Sequence, residues 1–307
     1  MGTDIGSDRA ALAAIIPAFE PDMDRLRLVI DALAPQVGRI IVIDDGSPST
    51  AIADGLESGP RIELLRLAAN GGIAAALNAG VARLGDVAEW TWLLTLDQDT
   101  VIEDGAVDSI LAELEQLPAV ESDHCGILAM SRPRAPYPSA AKRWIERGAV
   151  IGEIGGFRRR RCVITSGNLV RREVLAKVPF DERLFMDQVD WKFCADVRRA
   201  GWSVLELKRP TMDHQLGRAV VVGGRAKVFE SGRRLYYVTR NGMYLALRRD
   251  FALRLFARDV AGLSRVYIAI SGIGSVPHCT RILLTAGFDA LTGRLGRRDY
   301  RFLAAGA

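Results

Sequence analysis

Over the first 130 residues, short apolar runs alternate with stretches whose apolar positions recur at helical spacing. Residues 11–17 are apolar throughout and predict a buried strand. In 23–33, Met23, Leu26, Ile30 and Leu33 fall on one helical face. Further strands are expected over 39–44, 62–67, 90–97 and 125–130. Helices are expected between them, over 50–56, 72–84 and 105–117. Strand–helix alternation of this kind builds an α/β protein, with a mostly parallel central sheet flanked by helices.

Residues 131–161 break the rhythm. Pro133, Pro136 and Pro138 mark a loop, and Arg158 to Arg161 form a run of four arginines. Order resumes at Cys162 with a short strand, then helices over 172–178 and 187–200 and a strand over 202–207. From Arg225 the chain is expected to be helical to its end. The expected organisation is a catalytic domain over 1–224, with halves 1–130 and 131–224, and a basic helical region over 225–307.

Charge sharpens that division. Residues 1–217 carry 25 Lys and Arg against 32 Asp and Glu, a net −7; residues 218–307 carry 16 against 5, a net +11. In the tail, Leu253, Phe256, Val260 and Leu263 share one helical face, and Arg254, Arg258 and Arg265 another. A basic amphipathic helix suits an anionic membrane surface, or packing on the catalytic domain or on a second copy of the chain. No recognition motif accompanies the basic residues, so nucleic acid is not an expected partner.

The four cysteines are widely separated, which excludes a CxxC pair or a disulfide scaffold and fits a reduced compartment. Asp4 and Asp8 stand where a secretory leader needs basic residues. The longest apolar stretch, 266–277, ends at His278 and Arg281, short of the ~20 residues a spanning helix needs. The expected location is cytoplasmic, peripheral on the inner face of the membrane.

In an open α/β sheet, ligands bind beyond the carboxyl ends of the strands. The polar residues that follow each expected strand are Phe19-Glu20, Asp44-Asp45-Gly46-Ser47, Arg66 with Asn70-Gly71-Gly72, and Asp97-Gln98-Asp99. Two carboxylates two apart at a strand end are costly unless neutralised, and Mg²⁺ bridged to phosphates does that. The bland alternative is a turn, with Thr100 or Asp104 capping the next helix. Asp187 and Asp190 lie three apart, on one face of a helix; a capping box is the structural alternative to a proton-accepting role. His214, one of three histidines, is a candidate metal ligand or a structural hydrogen bonder. No GxGxxG or GxxxxGK[ST] is present, so dinucleotide-binding and P-loop readings fall away.

Together these motifs resemble inverting family 2 glycosyltransferases, and within them the bacterial rhamnosyltransferase branch. The resemblance is carried by Asp44–Ser47, Asn70–Gly72 running into Asn78, Asp97-Gln98-Asp99, Thr165–Asn168, Leu184–Trp191, His214–Gly217 and Tyr236-Tyr237 with Arg240-Asn241, across residues 12–250. It implies a GT-A-like fold and transfer of a sugar from a nucleoside-diphosphate donor, here dTDP-L-rhamnose, to a glycan or lipid-linked acceptor. UDP-galactofuranose is the rival donor. A catalytically silent nucleotide-binding scaffold and a nucleotidyltransferase are rivals of other classes.

The resemblance also implies roles. Phe19, Glu20, Asp44, Asp45, Gly46, Ser47, Arg66, Asn70, Gly72, Asn78, Asp97 and Gln98 line the nucleotide sugar, with Asp45 at the pyrimidine and Asp97 by the ribose. Asp99 and His214 hold Mg²⁺ or Mn²⁺. Ser166, Gly167 and Trp191 face the acceptor. The family's usual acid aligns with Gln188, which cannot take a proton, leaving Asp187 or Asp190 as base, with Asp187 preferred as the neighbour of that position.

Overall fold

The computed structural model describes residues 9–85, 90–132, 150–214, 219–222, 225–228 and 231–304, with backbone alone at 214, 219–222, 225–228 and 304. Asp4, Asp8, Pro133, Pro136, Pro138 and residues 215–217 lie outside the described residues. The strands are β1 (Leu12–Ala18), β2 (Arg39–Asp44), β3 (Ile62–Arg66), β4 (Trp92–Thr95), β5 (Thr100–Ile102), β6 (Cys125–Ser131), β7 (Val150–Ile154), β8 (Phe157–Arg160), β9 (Asn168–Arg171), β10 (Ser203–Pro210), β11 (Met212–His214), β12 (Ala219–Val222) and β13 (Arg225–Val228). Among the described residues, nine form one sheet in the order β3-β2-β1-β4-β9-β6-β10-β8-β7. Seven run in one direction; β8 and β9 are reversed.

β1 shows how the layers arise. Successive side chains of a strand point to opposite faces. Leu12, Ala14, Ile16 and Ala18 enter one core, with the helices Met23–Leu33 and Ala106–Glu115. Ala13 and Ile15 enter the other, with the helices Ile73–Gly85 and Val189–Arg199. Strand order reverses between β1 and β4, and this switch point is where polar residues gather.

Several expectations are corrected. Within 131–161, where the rhythm breaks, β7 and β8 form the sheet edge, and three of the four arginines of the run find carboxylates there. Arg158 and Arg160 lie 3.7 and 3.5 Å from Glu206, and Arg159 pairs with Glu121. The strand expected at Cys162 begins at Asn168 instead. Neither Thr100 nor Asp104 caps the helix Ala106–Glu115; its N-cap is Gly105, and Thr100 lies in β5. The helix Val189–Arg199 starts at Gln188 without a side-chain cap, so Asp187 and Asp190 form no capping box. Helix does not begin at Arg225, where the hairpin β12–β13 comes first.

The C-terminal helices Gly232–Leu247, Leu253–Ser271 and Val276–Leu291 pack around a third core of Leu235, Tyr236, Tyr237, Leu263, Tyr267 and Ile282. The helix Leu253–Ser271 turns Leu255, Leu263 and Tyr267 inward, while Leu253 is 68% exposed, which corrects the face expected from spacing. All four cysteines are free and buried. Among the described residues no helix is long and apolar enough to cross a membrane.

Candidate active site

The site is built where β1, β2, β3 and β4 end. Asp44, the last residue of β2, is fully buried. Its Oδ1 accepts the Ser47 N–H at 2.8 Å, and its Oδ2 lies 3.4 Å from Arg66 Nε. Arg66 also donates to the carbonyls of Ser47 and Ser49 at 2.8 and 3.3 Å, so it shapes the loop after β2. Gly46 has φ +68°, and a Cβ there would lie 2.4 Å from the Ala69 carbonyl carbon. Only glycine permits this approach of the two loops.

Asp45 joins those loops. Its Oδ1 accepts from Gly71 N–H at 2.8 Å and its Oδ2 from Gly72 N–H at 2.9 Å. Burial raises the Asp45 pKa above its ordinary value, and the two backbone donors partly offset this. The Asn70 carbonyl accepts from Arg297 at 3.4 Å, while its side-chain Oδ1 is buried without a hydrogen-bond partner. Asn78 lies further along the helix Ile73–Gly85, where its amide is engaged by the backbone of Phe180 at 3.0 Å and by Glu182 at 2.8 Å.

The switch point is bridged by side chains. The Phe19 N–H donates to Gln98 Oε1 at 2.8 Å, and the Glu20 N–H to Ser47 Oγ at 3.0 Å. Glu20 Oε1 accepts from the N–H and hydroxyl of Ser49 at 3.1 and 2.9 Å. The Asp97 N–H donates to Ser166 Oγ at 2.8 Å, and the Ser166 hydroxyl donates to Thr100 Oγ1 at 2.7 Å. The Gly167 N–H donates to the Thr95 carbonyl at 2.7 Å, which seats 165–167 beside 95–100. Arg25 donates to the Asp99 carbonyl at 2.9 Å and to Asp213 at 3.1 Å. The β5–β11 pairing sets His214 opposite Thr100, one residue from Asp99; what its imidazole does lies outside the described residues.

The acids converge electrostatically. Desolvation pushes Asp97 up to about 7, and the charges of Asp99 and Asp190 add to the rise. Asp190 is pushed up to about 6 by desolvation; a 2.8 Å hydrogen bond from Trp191 N–H lowers it, and the Asp187 charge raises it. Asp187 Oδ1 lies 3.3 Å from Arg234 Nε, and its Oδ2 is buried without a hydrogen-bond partner. Trp191 packs on Phe251 with ring centroids 4.6 Å apart. Among the described residues no group of three or more His, Cys, Asp and Glu stands close enough to hold a metal ion. Mg²⁺ needs only one or two carboxylates beside substrate phosphates, and Asp97, raised first by desolvation and then by the charges of Asp99 and Asp190, stands among carboxylates whose repulsion a cation would relieve.

Three residues of this region carried no role in the sequence. Arg234 supplies the cation beside Asp187. Arg240 and Asn241, noted only as part of a pattern, prove to be fully buried under the Leu184–Asp187 segment. The available signal was the Arg240-Asn241 pair flanked by the apolar and aromatic positions Leu235, Tyr236, Tyr237, Tyr244 and Leu245.

The topology is thus that of an open α/β sheet with polar residues gathered at its switch point. The family model of glycosyl transferase family 2 matches residues 13–179, a little over half of the chain, and the chain belongs to that family. The fold is the GT-A type, with a helical C-terminal region. The chain is 26% identical over 253 residues to "dTDP-rhamnosyl transferase RfbF" of Shigella flexneri, covering 80% of this chain and 83% of that one. It is 25% identical over 224 residues to "N-acetylglucosaminyl-diphospho-decaprenol L-rhamnosyltransferase" of Mycobacterium tuberculosis, covering 64% and 72%. A crystal structure of a mycobacterial protein superposes with a TM-score of 0.51 at 16% identity, covering 82% of this chain and 80% of that one. The protein is a glycosyltransferase with rhamnosyltransferase-like relatives.

Proposed function

We propose that this enzyme moves L-rhamnose from dTDP-L-rhamnose to a glycan or lipid-linked glycan, with inversion at the anomeric carbon. The observation that carries the reading is the convergence of Asp45, Asp97 and the Asp187–Asp190 segment at the carboxyl ends of one sheet. The named activities of the Shigella and mycobacterial relatives support the donor, and the mycobacterial name supports a lipid-diphosphate acceptor.

In this reading Asp45 and the 70–72 loop take the base, and Asp97 the ribose. Asp99 and His214 are the residues that would hold Mg²⁺ or Mn²⁺, which when bound neutralises charge on the leaving diphosphate. The acceptor hydroxyl enters near Ser166, Gly167 and Trp191. Its oxygen attacks the anomeric carbon from the face opposite the diphosphate, and the diphosphate departs with the bonding electrons. The proton goes to Asp190. A general base works best with a pKa near the working pH, and Asp190 stands at about 6. Asp187, preferred from its place beside Gln188, already has a cation 3.3 Å away.

Residues 1–224 then form the catalytic unit, and the basic region 225–307 a surface for the inner face of the membrane. Exposed Leu284, Phe288 and Leu291 lie along one face of the helix Val276–Leu291, and Arg294 covers the Phe288 ring at 5.4 Å. Incubation with dTDP-L-rhamnose, Mn²⁺ and a lipid-diphosphate N-acetylglucosamine acceptor tests the reading. It predicts dTDP release coupled one-to-one to rhamnosylated lipid; release of pyrophosphate or no reaction contradicts it.

A further inference from the structure

We infer that Arg240 and Asn241 are positioning residues that set the backbone carrying Asp187 and Asp190, an inference that rests on the catalytic reading of that segment. The segment is conformationally improbable by itself. Phe185 has φ 65° and ψ −64°, and the Met186 N–H donates to the Leu184 carbonyl at 2.8 Å, a tight three-residue turn. Asp187 and Gln188 follow at φ 58° and 63°. None of the three is glycine, so each sits in a region L side chains rarely adopt and needs support from outside.

That support comes from one helix. The Asn241 side-chain amide reaches the carbonyls of Leu184, Met186 and Asp187 at 2.9, 2.7 and 3.0 Å. Two amide hydrogens are thus shared among three acceptors. Arg240 Nε donates to Asn241 Oδ1 at 2.9 Å, and this fixes which way the amide points, since a guanidinium only donates. Arg240 also donates to the carbonyls of Leu184 at 3.0 Å and Gly296 at 2.6 Å. Its guanidinium lies 4.8 Å from the Tyr237 ring centroid, and the Phe185 ring packs 5.2 Å from the same ring.

Both side chains are 0% exposed. Among the described residues no carboxylate forms an ion pair with Arg240, and burial lowers its pKa. Burying a charge this way is costly, and its return is that buried carbonyls of the turn are satisfied. From the opposite side, the Ile73 N–H donates to the Phe185 carbonyl at 3.0 Å. The turn is therefore held between the start of the nucleotide-side helix and the C-terminal helix. The helical region thereby acts on chemistry by fixing where the base stands.

Asn241→Asp keeps the shape and removes the donors; Asn241→Ser is the milder second variant should the first fail to fold. Amide hydrogen exchange of 186–189 and steady-state kinetics with a separate donor titration are measured on the full chain. Positioning predicts faster exchange at 186–189 with β1 and β4 unchanged, and kcat lower by roughly 10–10²-fold with the donor Kd unchanged. Unchanged exchange in a folded variant overturns the clamp. Faster exchange with unchanged kcat overturns the positioning role. Should the unmodified enzyme fail to turn over dTDP-L-rhamnose, the functional reading fails, and the exchange data still decide whether the clamp exists.

Discussion

The carboxylate of Asp45 accepts the Gly72 N–H at 2.9 Å, tying the end of β2 to the loop after β3. Gly72 has φ +89°, and a Cβ there would lie 2.1 Å from the Phe185 carbonyl oxygen. One loop therefore contacts both Asp45 and the turn that leads into Asp187 and Asp190. Asp45→Ala leaves two backbone N–H groups without their acceptor, at a cost of about 1–3 kcal/mol each where they are buried. Urea unfolding should show that loss, and titration with dTDP should show weakened binding. Unchanged dTDP affinity would remove Asp45 from the nucleotide site.

The two acids of the 187–190 segment give opposite expectations. Asp190→Asn should lower kcat by roughly 10²–10⁴, the range of general acid–base catalysis, with donor binding retained. Asp187→Asn should be milder, because the charge of Arg234 beside it points to orientation of the turn. Kinetics of both variants check this. A dead Asp187→Asn beside an active Asp190→Asn would exchange the roles.

Stability should fall as pH rises through neutrality. Asp97 and Asp190 titrate at about 7 and 6 when folded, above the ordinary 3.8, so the folded state holds more protons between about pH 4 and 7. Their destabilising effect is absent below the unfolded value and complete above the folded one. Glu63, Glu121 and Asp181 are shifted down and act only at acid pH, outside this window. Thermal unfolding without metal should therefore give a lower Tm at pH 8 than at pH 5.5. Mn²⁺ should raise Tm more at pH 8 than at pH 5.5, and Asp99→Ala should abolish that gain and cut turnover by a hundredfold or more. An equal Mn²⁺ effect in Asp99→Ala would remove Asp99 from the metal.

The C-terminal helices should bring the enzyme to anionic vesicles. Arg254, Arg258 and Arg265 are exposed, and each basic side chain near such a surface contributes about 1 kcal/mol. Co-sedimentation should weaken as salt rises and fall further in Leu284→Ser with Phe288→Ser. Equal binding to neutral and anionic vesicles would contradict the electrostatic account.

Most of the sheet was legible because its strands are apolar runs and its helices keep one apolar face; β2 and the helix Met23–Leu33 fall where the pattern puts them. The edge strand β8 was not legible, since the carboxylates that pair with its arginines, Glu206 and Glu121, lie far off in sequence. Asp45 and Asp97 could be found from their places after apolar runs. The coupling of Asp97 to Asp190 and the hold of Asn241 on Asp187 could not, because they join segments that only the fold brings together.

Donor recognition precedes every later step of the proposed reaction. Calorimetric titration of the full chain with dTDP-L-rhamnose in the presence of Mn²⁺, paired with thermal unfolding, measures it. Saturable binding is predicted, with about 2.7 kcal/mol of added stability at 100 times Kd and weaker binding of UDP-galactofuranose. Absence of binding by any nucleoside-diphosphate sugar, with or without Mn²⁺, would contradict it.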